Sequence, residues 1–75
     1  MIHNVVEHYR LSEVQRDNIL MAFGAEPEHD QYGIANAITR AAHREPNWEK
    51  SLELERLGGR LVTLSYQEFK GFDQN

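Results

Sequence analysis

The stretch from Asn36 to Leu61, NAITRAAHREPNWEKSLELERLGGRL, decides the fold, because it reads as two helices joined by a bend. Leading into it, Ile34, Ala37, Ile38, Ala41 and Ala42 fall at i, i+3, i+4, i+7 and i+8, one apolar face of a helix that begins near Tyr32. Small alanines on that face let a neighbouring helix come close, while Asn36, Thr39, Arg40 and His43 lie toward the other side. Pro46 disfavours helical geometry at Glu45, so the first helix closes there. Asn47 then caps a second helix, in which Trp48 and Leu52 align at i and i+4 and Leu54 and Leu57 extend the apolar face. Gly58 and Gly59 are expected to stop it, since glycine takes the left-handed conformation that ends helices.

Upstream, Ser12 followed by Gln15 forms a capping-box pattern, and helix propensity holds from there through Phe23. Gly24 is placed to end that helix, with Val14, Ile19, Met21 and Phe23 as its buried side. GAEPEHDQYG, residues 24–33, interrupts the periodicity with glycine, proline and acids and reads as a loop, with Asp30 as N-cap of the next helix. In residues 1–11, Ile2, Val5, Val6 and Tyr9 share one helical face, yet the segment is also rich in strand-forming residues. At the other end, Val62, Leu64 and Tyr66 alternate as in a short strand or an extended tail. Ser65 with Glu68 offers a further capping box, so Tyr66 to Lys70 reads as a last helical turn anchored by Phe69 and Phe72. The expected fold is therefore mainly α, a compact bundle of three to four short helices in one domain spanning residues 1–75. A short two-stranded pairing of residues 1–11 with 60–66 is the alternative for the ends.

Composition narrows the function classes. With 75 residues the chain suits a single thin core, and its 40% hydrophobic content lies outside the disordered range. It has no cysteine, hence neither a disulfide framework nor a thiolate metal site, which fits a reducing compartment. The start MIHNVVEHYR has no basic, apolar leader, and no run is apolar enough to span a bilayer, so a cytoplasmic location is expected. Eight basic against twelve acidic residues give a net charge of -4, the wrong sign for a chain that binds nucleic acid directly through its phosphates. A basic partner surface suits it better.

No catalytic arrangement emerges. His3, His8, His29 and His43 are scattered, without the short spacing that holds zinc, and Glu28-His29-Asp30 reads as a solvated acidic loop. Ser12, Ser51 and Ser65 lack a nucleophile elbow, and Gly58-Gly59 lacks the Lys-Ser/Thr that ends a phosphate-binding loop. Carboxylates are plentiful, but acid and base roles need a pocket that splits their pKa values, and so small a chain seldom encloses one. No cofactor, no metal and no enzymatic activity are expected.

Tyr32-Gly33, Asn36-Ala37-Ile38-Thr39-Arg40-Ala41-Ala42 and Leu54-Glu55-Arg56-Leu57-Gly58-Gly59-Arg60-Leu61 together resemble the C-terminal end of a domain family of unknown function carried by phages and plasmids. Its members have an Asn-Ala-hydrophobic-Thr helix followed by a charged helix ending in glycine. The resemblance covers under half of the chain, omits the family's large N-terminal body and transfers no catalytic residue. It implies a mobile-element origin and an independently folded module. In size and character the chain is also similar to phage anti-CRISPR proteins, which generally inhibit by occupying a surface.

These readings together lead to an expected binding protein that blocks a host protein or nucleoprotein complex, a CRISPR effector above all, by steric or electrostatic means. The expected contact residues are Glu26, Glu28 and Asp30 in the loop, Glu49 and Glu53 on the later helix, and Arg40. Arg40 also heads a polar strip with Asn36 and His43. One alternative is a homodimer whose seam is the alanine stripe with Trp48. Another is a helix-turn-helix DNA binder, disfavoured because Glu49, Glu53 and Glu55 outweigh Lys50 and Arg56 on its recognition helix.

Overall fold

The computed structural model of the protein describes residues 5, 6, 9 and 11–73, the last three by their backbone alone. Among these residues four helices follow one another: α1, Glu13–Gly24; α2, Gln31–Arg44; α3, Trp48–Thr63; and α4, Tyr66–Asp73. Val5 and Val6 are also helical, and no strand occurs among the described residues. The mainly helical fold is thus the expected one, and no two-stranded pairing occurs among the described residues. Residues 60–63, half of that pairing, belong to α3 instead. Residues 1–4, 7, 8 and 10 and the side chain of Phe72 lie outside the described residues.

Each helix start is built by the residue that local chemistry favours. The Ser12 hydroxyl accepts from Gln15 N at 3.2 Å and the Gln15 side chain accepts from Ser12 N, closing the capping box of α1. Asp30 Oδ1 accepts from Gly33 N at 3.0 Å ahead of α2. Asn47 Oδ1 accepts from Glu49 N and Lys50 N, at 3.0 and 3.1 Å, ahead of α3. Ser65 and Glu68 exchange the same pair of bonds at the start of α4. Such caps satisfy backbone N–H groups that have no partner within the helix.

Helix ends depart from expectation twice. Gly24 is the last residue of α1, and the cap is Ala25 in an ordinary right-handed conformation, φ -88° and ψ -7°. Gly58 and Gly59 lie inside α3, which runs on to Thr63 and is capped by extended Leu64. Glu45, in contrast, ends α2 in extended geometry, as the following proline requires.

The core is a single cluster running through all the helices. Val5, Val6, Ile19 and Ala22 meet the full α2 stripe of Ile34, Ala37, Ile38, Ala41 and Ala42, then Leu54, Leu57 and Leu61 of α3 and Phe69 of α4. Two members of the expected α1 core are absent from it. Val14 and Met21 are 67% and 63% exposed, because α1 turns Gln15, Ile19 and Ala22 inward.

α2 and α3 form an antiparallel pair held at both ends by side chains. The buried Gln31 amide donates to Leu61 O at 2.6 Å and Leu64 O at 2.8 Å, so the first residue of α2 caps the last turn of α3. At the opposite end Ser51 Oγ donates to Ala42 O at 2.7 Å. Gln31→Leu strips α3 of both bonds and leaves two carbonyls unpaired, so we expect a loss of about 2 kcal/mol in urea unfolding. Gln31→Glu, which keeps the shape but removes the donor, loses at least as much.

Candidate interaction surface

The orientation of α3 determines what the molecule shows to solvent. Its inner side carries Ser51, Leu54, Gly58 and Leu61, successive positions at steps of three, four and three that share one helical face. Leu54, Gly58 and Leu61 are buried there, together with Leu57. At Gly58 the two helices are so close that a Cβ would stand 2.8 Å from Thr39 Oγ1 and 3.1 Å from Ala35 O. Beside this crossing, His43 Nε2 of α2 lies 3.7 Å from Glu55 Oε1 of α3. The crossing and the three end bonds fix which side of α3 faces α2.

A second stripe of α3 therefore points outward. Trp48, Leu52, Glu55, Gly59 and Val62 repeat at steps of four, three, four and three, the spacing of a coiled-coil seam. Trp48 is 72% exposed, Val62 46% and Leu52 37%. Nothing lies within 4 Å of the Cβ position of Gly59, so the middle of the stripe is a shallow opening between larger side chains. Sequence periodicity joins Trp48 and Leu52 to Leu54 and Leu57 as one face. In the structure they belong to different faces, and the aromatic ring is left in water.

Of the expected contact residues, Glu26 and Arg40 are brought together. Glu26 is buried, its side chain only 4% exposed, and its Oε1 lies 3.4 Å from Nε of the largely exposed Arg40. Its Oε1 has no hydrogen bond, so Arg40 meets it as a charge without donor alignment. The Arg40 side chain, 59% exposed, is partly committed to holding that carboxylate. Asp30 is occupied as the α2 cap, and Glu28 is exposed with its backbone carbonyl pressed against Gly33.

Glu49 and Glu53 are exposed in the N-terminal half of α3. Glu26 reaches Arg40 in the second half of α2, whereas Gln31 bonds to the C-terminal turn of α3, so that Asp30 adjoins that end and Glu49 stands at the other. Sixteen residues separate these ends by roughly 24 Å. The five acids do not form a single negative patch, since Glu26 is buried and Asp30 and Glu49 lie toward opposite ends of α3. Asn36 and His43 are exposed, but His43 is turned to Glu55.

The homodimer seam drawn through the alanines is also not available. Ala37, Ala41 and Ala42 are buried in the chain's own core, and of that proposed seam only Trp48 reaches the surface. The signal for the outer stripe is present in the sequence as a second 3-4 repeat, one residue set away from the inner one. Among the described residues, no group of three or more His, Asp or Glu side chains is arranged to hold a metal, and no helix is long and apolar enough to cross a membrane.

Comparison with known proteins found no matching family model, no matching curated protein and no matching solved structure.

Proposed function

We propose that this protein acts by binding, with the outer face of α3 as its contact surface and occupation of a partner's surface as its mode of action. One observation carries this reading: a tryptophan 72% exposed on a helix that core packing holds in a single orientation. Large apolar surface left in water on a rigid element is the usual material of interface anchors, and tryptophan is among the residue types most enriched where binding energy concentrates. Rigidity matters because an anchor already in its bound orientation loses little conformational freedom on docking.

The partner we propose is a host protein or nucleoprotein complex, with a CRISPR effector first among them. The net charge of -4, which favours basic protein surfaces, supports that choice. The acidic loop has no part in this version, since Glu26 and Asp30 serve the fold.

Trp48→Ala is the direct test. It should leave urea stability within about 0.5 kcal/mol, because an exposed side chain contributes little to the core. Affinity for a purified effector complex, measured by biolayer interferometry, should fall at least tenfold. Equal binding by wild type and variant would remove the α3 face from the reading, and no association with any effector tested would remove the target.

A further inference from the structure

We infer that the outer face of α3 is self-complementary and that, in the free protein, a second copy of this chain covers it through an antiparallel α3–α3 seam. This rests on the reading of that face as the contact surface and names its occupant in the absence of any target.

The reasons are pattern and charge. The exposed seam positions are arranged almost symmetrically about Glu55: Trp48 and Val62 stand seven residues to either side, and Leu52 and Gly59 three and four. A two-fold axis passing near Glu55 therefore lays each Trp48 against the partner's Val62, and each Leu52 over the partner's Gly59. That glycine offers space, since nothing occupies the neighbourhood of its Cβ position. Large against small on facing positions is what lets two helices approach.

The charges beside the seam point to the same register. Glu49 and Glu53 occupy the N-terminal half of α3 and Arg56 and Arg60 the C-terminal half, all four exposed on one flank. Antiparallel apposition places each acidic half along the partner's basic half. Parallel two-fold apposition would instead carry the two charged flanks to opposite sides of the seam, where they do not meet. Two-fold dimers require this kind of surface, in which one patch complements itself. Charges at seam flanks set orientation in paired helices.

One meeting is unfavourable. The two Glu55 side chains approach each other at the axis, each 3.7 Å from its own His43 Nε2. Together with the short seam, roughly 24 Å along a single helix, this predicts a weak dimer that dilution dissociates. The same face cannot serve a second copy and a target at once, so target binding competes with self-association.

Analytical ultracentrifugation across a range from micromolar to millimolar tests the seam. Wild type should pass from monomer to dimer with concentration, and Trp48→Ala should shift the midpoint at least tenfold upward with an unchanged circular dichroism spectrum. Two charge-reversed forms, one with E49R and E53R and the other with R56E and R60E, should each remain monomeric. Mixed in equal amounts they should form a heterodimer, and that recovery shows that neither had merely unfolded. Glu55→Gln should tighten the dimer several-fold. Wild type that stays monomeric throughout, charge-reversed forms that fail to recover on mixing, or a Glu55→Gln dimer weaker than wild type would each overturn the seam. A monomer that still binds an effector complex through Trp48 would leave the contact-surface reading standing, so the two failures are distinguishable.

Discussion

Gly33→Ala should destabilise the protein by about 2 kcal/mol or more, although alanine is the better helix former by about 1 kcal/mol. Gly33 lies in the first turn of α2, three residues after the Asp30 cap that accepts its N–H. The preceding loop folds back over this turn, and a Cβ at Gly33 would run into the carbonyl of Glu28, also approaching its carbon at 3.0 Å. Backbone on both sides is hard to displace. Asp30 is held by its cap, and Phe23 stacks on His29 with ring centroids 4.5 Å apart, pinning the loop from the other direction. A domain of this size has a total stability of only about 4–11 kcal/mol, so the loss is a large fraction of it. Urea unfolding followed at 222 nm is the right measurement, since Trp48 is already in water and its fluorescence would report little. A variant as stable as wild type would show that the loop yields without cost.

The second large effect is a contrast between neighbours. Gly58 and Gly59 sit side by side within α3, so intrinsic propensity favours alanine at both by the same roughly 1 kcal/mol. Their surroundings differ. A Cβ on Gly58 meets Thr39 Oγ1 at 2.8 Å and Ala35 O at 3.1 Å, whereas one on Gly59 meets nothing within 4 Å. Gly59→Ala should therefore stabilise by about 0.5–1 kcal/mol. Gly58→Ala should instead destabilise by about 1–2 kcal/mol, because α3 must back away from α2 along the most closely packed crossing. Gly58→Val should lose more again. Thr39→Ala combined with Gly58→Ala should recover part of the loss by removing the nearer obstacle, while the Ala35 carbonyl remains. Equal signs at the two glycines would mean that α3 does not cross α2 at this point.

Much of the fold was legible because the forces behind it are local. Ser12, Asp30, Asn47 and Ser65 each act on a backbone group two or three residues away, so a sequence window of four contains the whole interaction. The α2 stripe was equally readable, since it is apolar on one side only and no rival face competes. α3 was different. Two 3-4 repeats run along it, one through Ser51, Leu54, Gly58 and Leu61 and the other through Trp48, Leu52, Gly59 and Val62. Hydrophobicity alone favours neither, and the larger residue, Trp48, points to the wrong one. The expected contact residues were grouped by closeness in sequence, whereas the fold buries Glu26 against Arg40 and sets Glu49 at the opposite end of α3 from Asp30.

By itself the sequence determined the helical class, the helix starts and the buried face of α2, all consequences of hydrogen bonds and periodicities spanning a few residues. Tertiary structure alone decided that the paired glycines continue α3 instead of ending it, and that Trp48 faces outward. The physical reason is close approach. Only a glycine at position 58 lets α3 settle against Ala35 and Thr39, and that contact, with Gln31 capping Leu61 and Leu64, selects one of two nearly equivalent faces for burial and leaves the other as surface.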